Sequence, residues 1–72
     1  MEMNISERIR VLMRRKGLTQ IALAERMQFS RQNLDKRLKR NSWTEDDLKR
    51  MADAMGCDLE IAFIDKQTGE RY

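Results

Sequence analysis

The chain has no histidine, no proline and a single cysteine, Cys57, among its 72 residues. Without histidine, neither a Ser-His nor a Cys-His catalytic pair can be built. One cysteine cannot close an internal disulfide, and alone it offers no zinc-ligand set, so neither a metal nor a cofactor is expected. Cys57 reads as a small buried apolar residue rather than a reactive thiol. No apolar run approaches the roughly 20 residues of a membrane span, and no secretory signal is visible. The three glycines are scattered and form no phosphate-cradling loop. A chain this short leaves no room for a deep pocket, so no catalytic residue is assigned and an enzyme is the least favoured class. Together these absences point to one small domain over residues 1–72 in a reducing, cytoplasmic compartment. Its core must be marginal, so helix caps, with or without a partner subunit, have to contribute to stability.

Charge is plentiful but unevenly placed. Residues 1–42 carry eleven Lys/Arg against four Asp/Glu, a balance of +7, and residues 43–72 carry four against eight, a balance of −4. A basic half of this kind suits a polyanion, with the acidic half turned away from it.

Four amphipathic segments follow one another. A helix over 5–16 places Ile5, Ile9, Leu12 and Met13 on one face. Asn4 with Glu7 resembles a capping box, Ser6 is a rival cap, and Gly17 supplies the left-handed stop. A second helix over 20–27 is capped by Thr19, with Leu23, Ala24 and Met27 inward. A third over 31–39 is capped by Ser30, with Leu34 and Leu38 inward. A fourth over 45–55 is capped by Thr44 and has Glu45, Asp46 and Asp47 in its first turn, where negative charge is stabilised. Its apolar face is Leu48, Met51, Ala52 and Met55. Leu18, Phe29 and Trp43 each precede a cap and are placed to staple to Leu23, Leu34 and Leu48. Met13, Met27, Met51 and Met55 fall at core-facing positions and read as gap-filling core.

From Cys57 to Ile64 the apolar period changes to two, which predicts a strand. Asp65 to Gly69 reads as a turn, with residues 70–72 returning, so a hairpin is expected over 57–72. Ala62 and Ile64 put apolar groups on its second face. A lone hairpin is marginal in water, and its edge is suited to pairing with another chain. A symmetric dimer through this segment or the fourth helix is the expected assembly.

The segment from Leu18 to Leu34 carries the chemistry. It reads as two short capped helices joined by a tight turn, the second opening with polar residues able to read base edges. Gln20, Leu23, Ala24, Gln28, Phe29 and Ser30 stand at a spacing that resembles the helix-turn-helix of the phage repressor and Cro family, which bacterial xenobiotic-response-element regulators share. The resemblance covers residues 5 to about 56. It implies a mainly α, compact four-helix repressor-like domain, here with the C-terminal strand or hairpin added. It also implies that Ala24 must be small where the second and third helices cross. Gln28 stands where that family usually has glycine, so a residue with a side chain must take a positive φ there. Lys39-Arg40-Asn41 replaces the family's frequent Glu-Asn-Gly, which lengthens or re-aims the end of the third helix.

By resemblance, the third helix is the one offered to the major groove, and Arg31, Gln32 and Lys36 are the first base-contact candidates, with Asn33 next. Gln and Asn can pair with adenine, and Arg or Lys with guanine. Gln20 opens the second helix, whose first amides can point at a phosphate; in the resembled family that glutamine also braces the start of the third helix. Lys39, Arg40, Asn41 and Ser42 follow the third helix and can reach the DNA backbone, with Arg14, Arg15 and Lys16 as weaker candidates. The implied function is a double-stranded DNA-binding transcriptional regulator of a bacterium or phage, a repressor acting as a homodimer on a palindromic operator and located at the nucleoid when bound. The competing reading is a protein–protein adaptor, such as an antitoxin-like module, using the same fold without reading DNA.

Overall fold

A computed structural model describes residues 2–72. It contains four helices, α1 (Ile5–Lys16), α2 (Gln20–Met27), α3 (Arg31–Arg40) and α4 (Glu45–Ala54). Helix α3 runs one residue beyond the predicted end at 39, and α4 stops one residue before the predicted end at 55.

Each helix begins where a short polar side chain satisfies an otherwise orphaned amide. Asn4, Thr19, Ser30 and Thr44 accept from the backbone N–H of Glu7, Ala22, Asn33 and Asp47 at 2.8, 3.1, 3.1 and 3.1 Å. Asn4–Glu7 and Thr44–Asp47 close reciprocal capping boxes. Ser6 is not a rival cap. It is buried, its Oγ accepts from the Trp43 indole N–H at 3.1 Å, and its own backbone N–H donates to Asn41 Oδ1 at 3.0 Å.

The connections between helices are set by left-handed residues. Gly17, Gln28 and Asn41 have φ of 66°, 59° and 51°. At Gln28 the sharp reversal is closed by the Phe29 N–H donating to the Ala24 carbonyl at 2.9 Å. A glutamine here bears a modest strain that glycine would not, and the bond and the adjacent Ser30 cap hold it in place. Asn41 ends α3 in the same way, being among the residues that adopt the left-handed conformation most readily after glycine.

The core joins all four helices through Ile9, Met13, Leu23, Ala24, Met27, Leu34, Leu38, Met51 and Met55. Leu18, Phe29 and Trp43, the residues preceding caps, are half-buried against it, as is Cys57. Three predicted core positions lie further out: Leu12 and Leu48 are half-buried, and Ile5 is 38% exposed. They border a shallow, mainly apolar groove between α1, α4 and the C-terminal segment, whose other wall includes Leu59 and Ile61.

The predicted C-terminal strand and hairpin do not form. Among the described residues there is no strand, only one isolated antiparallel bridge between Ile64 and Arg71. The chain does reverse. The Asp65 carboxylate accepts from the N–H groups of Gln67 and Thr68, and Phe63 and Tyr72 exchange two backbone bonds of 2.8 and 2.9 Å. Among the described residues the pairing reaches no further back than Phe63, and residues 57–62 pair with no strand. Alternating apolar residues produce extended chain; a ladder also needs a second edge.

Leu34 is fully buried at 0% exposure and anchors α3. Leu34→Ala should lower unfolding free energy in urea by about 2–5 kcal/mol, a large share of the stability of so small a domain. A loss below about 1 kcal/mol would show that α3 is not held through this residue.

Candidate nucleic-acid interface

Helix α2 packs on both α3 and α4. Ala24 of α2 is only 1% exposed within the core cluster, so a larger side chain there would overpack it. The Gln28 reversal and the Ser30 cap then start α3 at a fixed point, and Leu34 with Leu38 set its rotation. Those two leucines are one helical turn apart, so the opposite face carries residues 32, 36, 39 and 40.

Gln32, Lys36, Lys39 and Arg40 are exposed there, and Arg31 is exposed at the N-terminal end of the same helix. Arg31 shares a small surface cleft with Gln20 and Ile21, so the starts of α2 and α3 are brought side by side. Among the described residues, the side chains of Arg31, Gln32 and Lys36 enter no hydrogen bond or ion pair, unlike those of Gln20, Asn33, Asp35 and Lys39.

Asn33 is half-buried, and its Oδ1 accepts from Arg37 Nε at 3.0 Å. A bidentate adenine contact uses both ends of the amide; Arg37 takes one of the two lone pairs of Oδ1, and the other lone pair and the NH2 have no partner among the described residues. Gln20 is half-buried and donates to Asp35 Oδ1 at 3.3 Å, so it braces the middle of α3 rather than its first side chains. Lys39 pairs with Asp35 Oδ2 at 2.9 Å across one turn. Asn41 commits its Oδ1 to Ser6, which leaves its NH2 as the group suited to a phosphate oxygen. Ser42 is exposed, and its backbone N–H closes the end of α3 on the Arg37 carbonyl at 3.1 Å.

Two residues matter here that the sequence reading passed over. Arg37 is one of the basic residues of the N-terminal half, yet its charge is used internally. Its guanidinium pairs with the buried Asp47, donates to Asn33, and lies 5.0 Å from the centre of the Phe29 ring, within cation–π range. Asp47 also serves the Thr44 cap, so one carboxylate ties α3 to the start of α4. The second residue is Asp35, the one acid on α3. The i,i+4 spacings Asn33–Arg37 and Asp35–Lys39 were visible as signals. The Arg37–Asp47 pair joins separate helices and left no local trace.

The family model for the Cro/C1-type HTH DNA-binding domain matches residues 8–62. The chain belongs to this family of helix-turn-helix DNA-binding domains. No curated protein and no solved structure matches it significantly. The match takes in all of α2, α3 and α4 and most of α1. DNA binding by this Cro/C1-type domain therefore rests on both the family and a basic, exposed α3. No helix among the described residues is long and apolar enough to cross a membrane.

The bond from Lys39, and after it the bond from Gln20, hold the Asp35 carboxyl below its ordinary value of 3.8. The bonds favour the charged form. Their contribution to stability is therefore complete above the ordinary carboxylate range and is lost as pH falls through the lowered folded-state value. Carbon-13 NMR should place the Asp35 midpoint below 3.8 in the native protein, and Lys39→Gln should move it back up. A midpoint at or above 3.8 would contradict this pairing.

Proposed function

We propose that the domain binds duplex DNA sequence-specifically as a homodimer, inserts α3 into the major groove, and represses transcription by occupying its operator. The observation that carries this reading is the outer side of α3: Arg31, Gln32 and Lys36 are exposed and uncommitted on a helix fixed by buried leucines. Uncommitted donors and acceptors on a rigid rod suit base edges. Gln32 pairs with adenine, and Arg31 and Lys36 with guanine. Asn33 supports them through Arg37. Gln20, Arg40, Asn41, Ser42 and Lys39 flank this row at the start of α2 and the end of α3, where they suit phosphates. Repression needs nothing beyond operator occupancy, so a domain of this size is sufficient for it.

A single α3 reads only a few base pairs, so a two-fold partner on a palindromic site is the natural arrangement, with half-sites about 34 Å apart or a multiple of that. The C-terminal segment supports a dimer. Ile61, Phe63 and Ile64 are 53%, 78% and 60% exposed, and residues 57–62 have no strand partner among the described residues. Burying these side chains and pairing this backbone against a second copy would satisfy both.

Duplexes selected from a random pool test the reading. Gln32→Ala should relax preference at one base position of the half-site, worth about 1–3 kcal/mol of discrimination. Arg40→Gln should weaken all duplexes alike and make the salt dependence shallower by about 0.9 per protomer in log–log slope. Equal losses on selected and random DNA for Gln32→Ala would remove α3 from base reading. For assembly, sedimentation should show a concentration-dependent dimer that Ile61→Lys with Phe63→Lys converts to monomer. A dimer surviving that double substitution would place the interface elsewhere.

A further inference from the structure

Every residue of α3 is basic or neutral except Asp35. An acid on a helix proposed to lie against DNA needs a reason. Its carboxylate is not buried, since the side chain is 43% exposed. It also makes no contribution to the core, which α3 joins through Leu34 and Leu38. What it does is hold two neighbours. Oδ2 lies 2.9 Å from Lys39 Nζ, and Oδ1 accepts from Gln20 Nε2 at 3.3 Å. Both neighbours are groups assigned above to the DNA backbone.

We infer that Asp35 is a specificity-determining residue that suppresses sequence-independent binding, by pinning Lys39 and Gln20 and by placing negative charge beside the phosphate path. The inference rests on the DNA-binding reading of α3. Non-specific affinity comes almost entirely from phosphate contacts and counterion release. A lysine on a flexible stem can follow phosphates in any register, and pairing with Asp35 removes that freedom. Out of register, Lys39 must leave Asp35 to reach the nearest phosphate, and the carboxylate repels that phosphate as well. In the register fixed by Arg31, Gln32 and Lys36, the three donors of the Lys39 ammonium can serve one fixed phosphate and Asp35 together, so the pair stays closed. Its penalty therefore falls mainly on random DNA, and the ratio of specific to non-specific affinity rises.

Asp35→Asn tests this directly because it keeps the shape and the acceptor while deleting the charge. The probe is a random-sequence duplex two helical turns long, about 20 base pairs. The variant should bind it about fivefold more tightly near 0.1 M salt, with a slope steeper by about 0.9 per protomer. Its preference for the selected duplex over the random one should fall. Lys39→Gln in the Asp35→Asn background should cancel the gain. If Asp35→Asn fails to fold by circular dichroism, Asp35→Ala serves for the same comparison. A folded variant with wild-type affinity and slope overturns the inference and leaves the DNA-binding reading intact. A wild-type protein that binds neither duplex at low salt overturns both.

Discussion

Helix α3 has ten residues, and two of them, Leu34 and Leu38, provide its buried stripe. The DNA reading proposed for α3 depends on that narrow apolar contact. A helix this short and this polar would not hold its shape alone in water. Packed against α2 by two leucines, started at Ser30 and stopped at Asn41, it becomes a rod with one defined rotation. The rotation decides which residues face outward. Shifting the apolar pair by one position would turn the surface by about 100° and expose a different set of side chains.

Polar latches reinforce the leucines at the C-terminal end of α3. Arg37 reaches Asp47 at the start of α4, and Asn41 reaches the Ser6 amide at the start of α1. In each case a group at one helix end satisfies an orphaned group at another, and Asp47 does this while completing its own capping box. A domain with so small a core gains fixed orientation from such bonds, since each fails if its two helices move apart. The Trp43 indole extends the set by donating to Ser6, which ties the residue before α4 to the first turn of α1.

The same bonds redistribute charge. The N-terminal half is strongly basic by count, yet Arg37 is neutralised by Asp47 and Lys39 by Asp35. The outward charge of α3 is thereby concentrated on Arg31, Lys36 and Arg40. A count of basic residues gives the sign of the surface, and only the pairing gives its pattern.

Much of the fold was legible because its determinants are local. Caps such as Thr19 and Ser30, and the 3.6-residue spacing of pairs such as Leu34 and Leu38, act within a few residues. They fixed the four helices and the exposed side of α3, as did the positive φ required at Gln28. The fate of the C-terminal segment was not legible. Alternation from Cys57 to Ile64 specifies extended chain, but pairing depends on a partner edge, which among the described residues only Phe63 and Ile64 of this stretch meet. Side-chain commitments were hidden for a related reason. That Asn33 serves Arg37 and Asn41 serves Ser6, and that Arg37 spends its charge on Asp47, follows from how helices distant in sequence meet. Sequence alone determined which helices exist and which side of α3 faces water, because hydrogen bonds and periodicity within each segment dictate both. Tertiary structure decided which polar groups on that side remain available, because their competitors arrive from other helices.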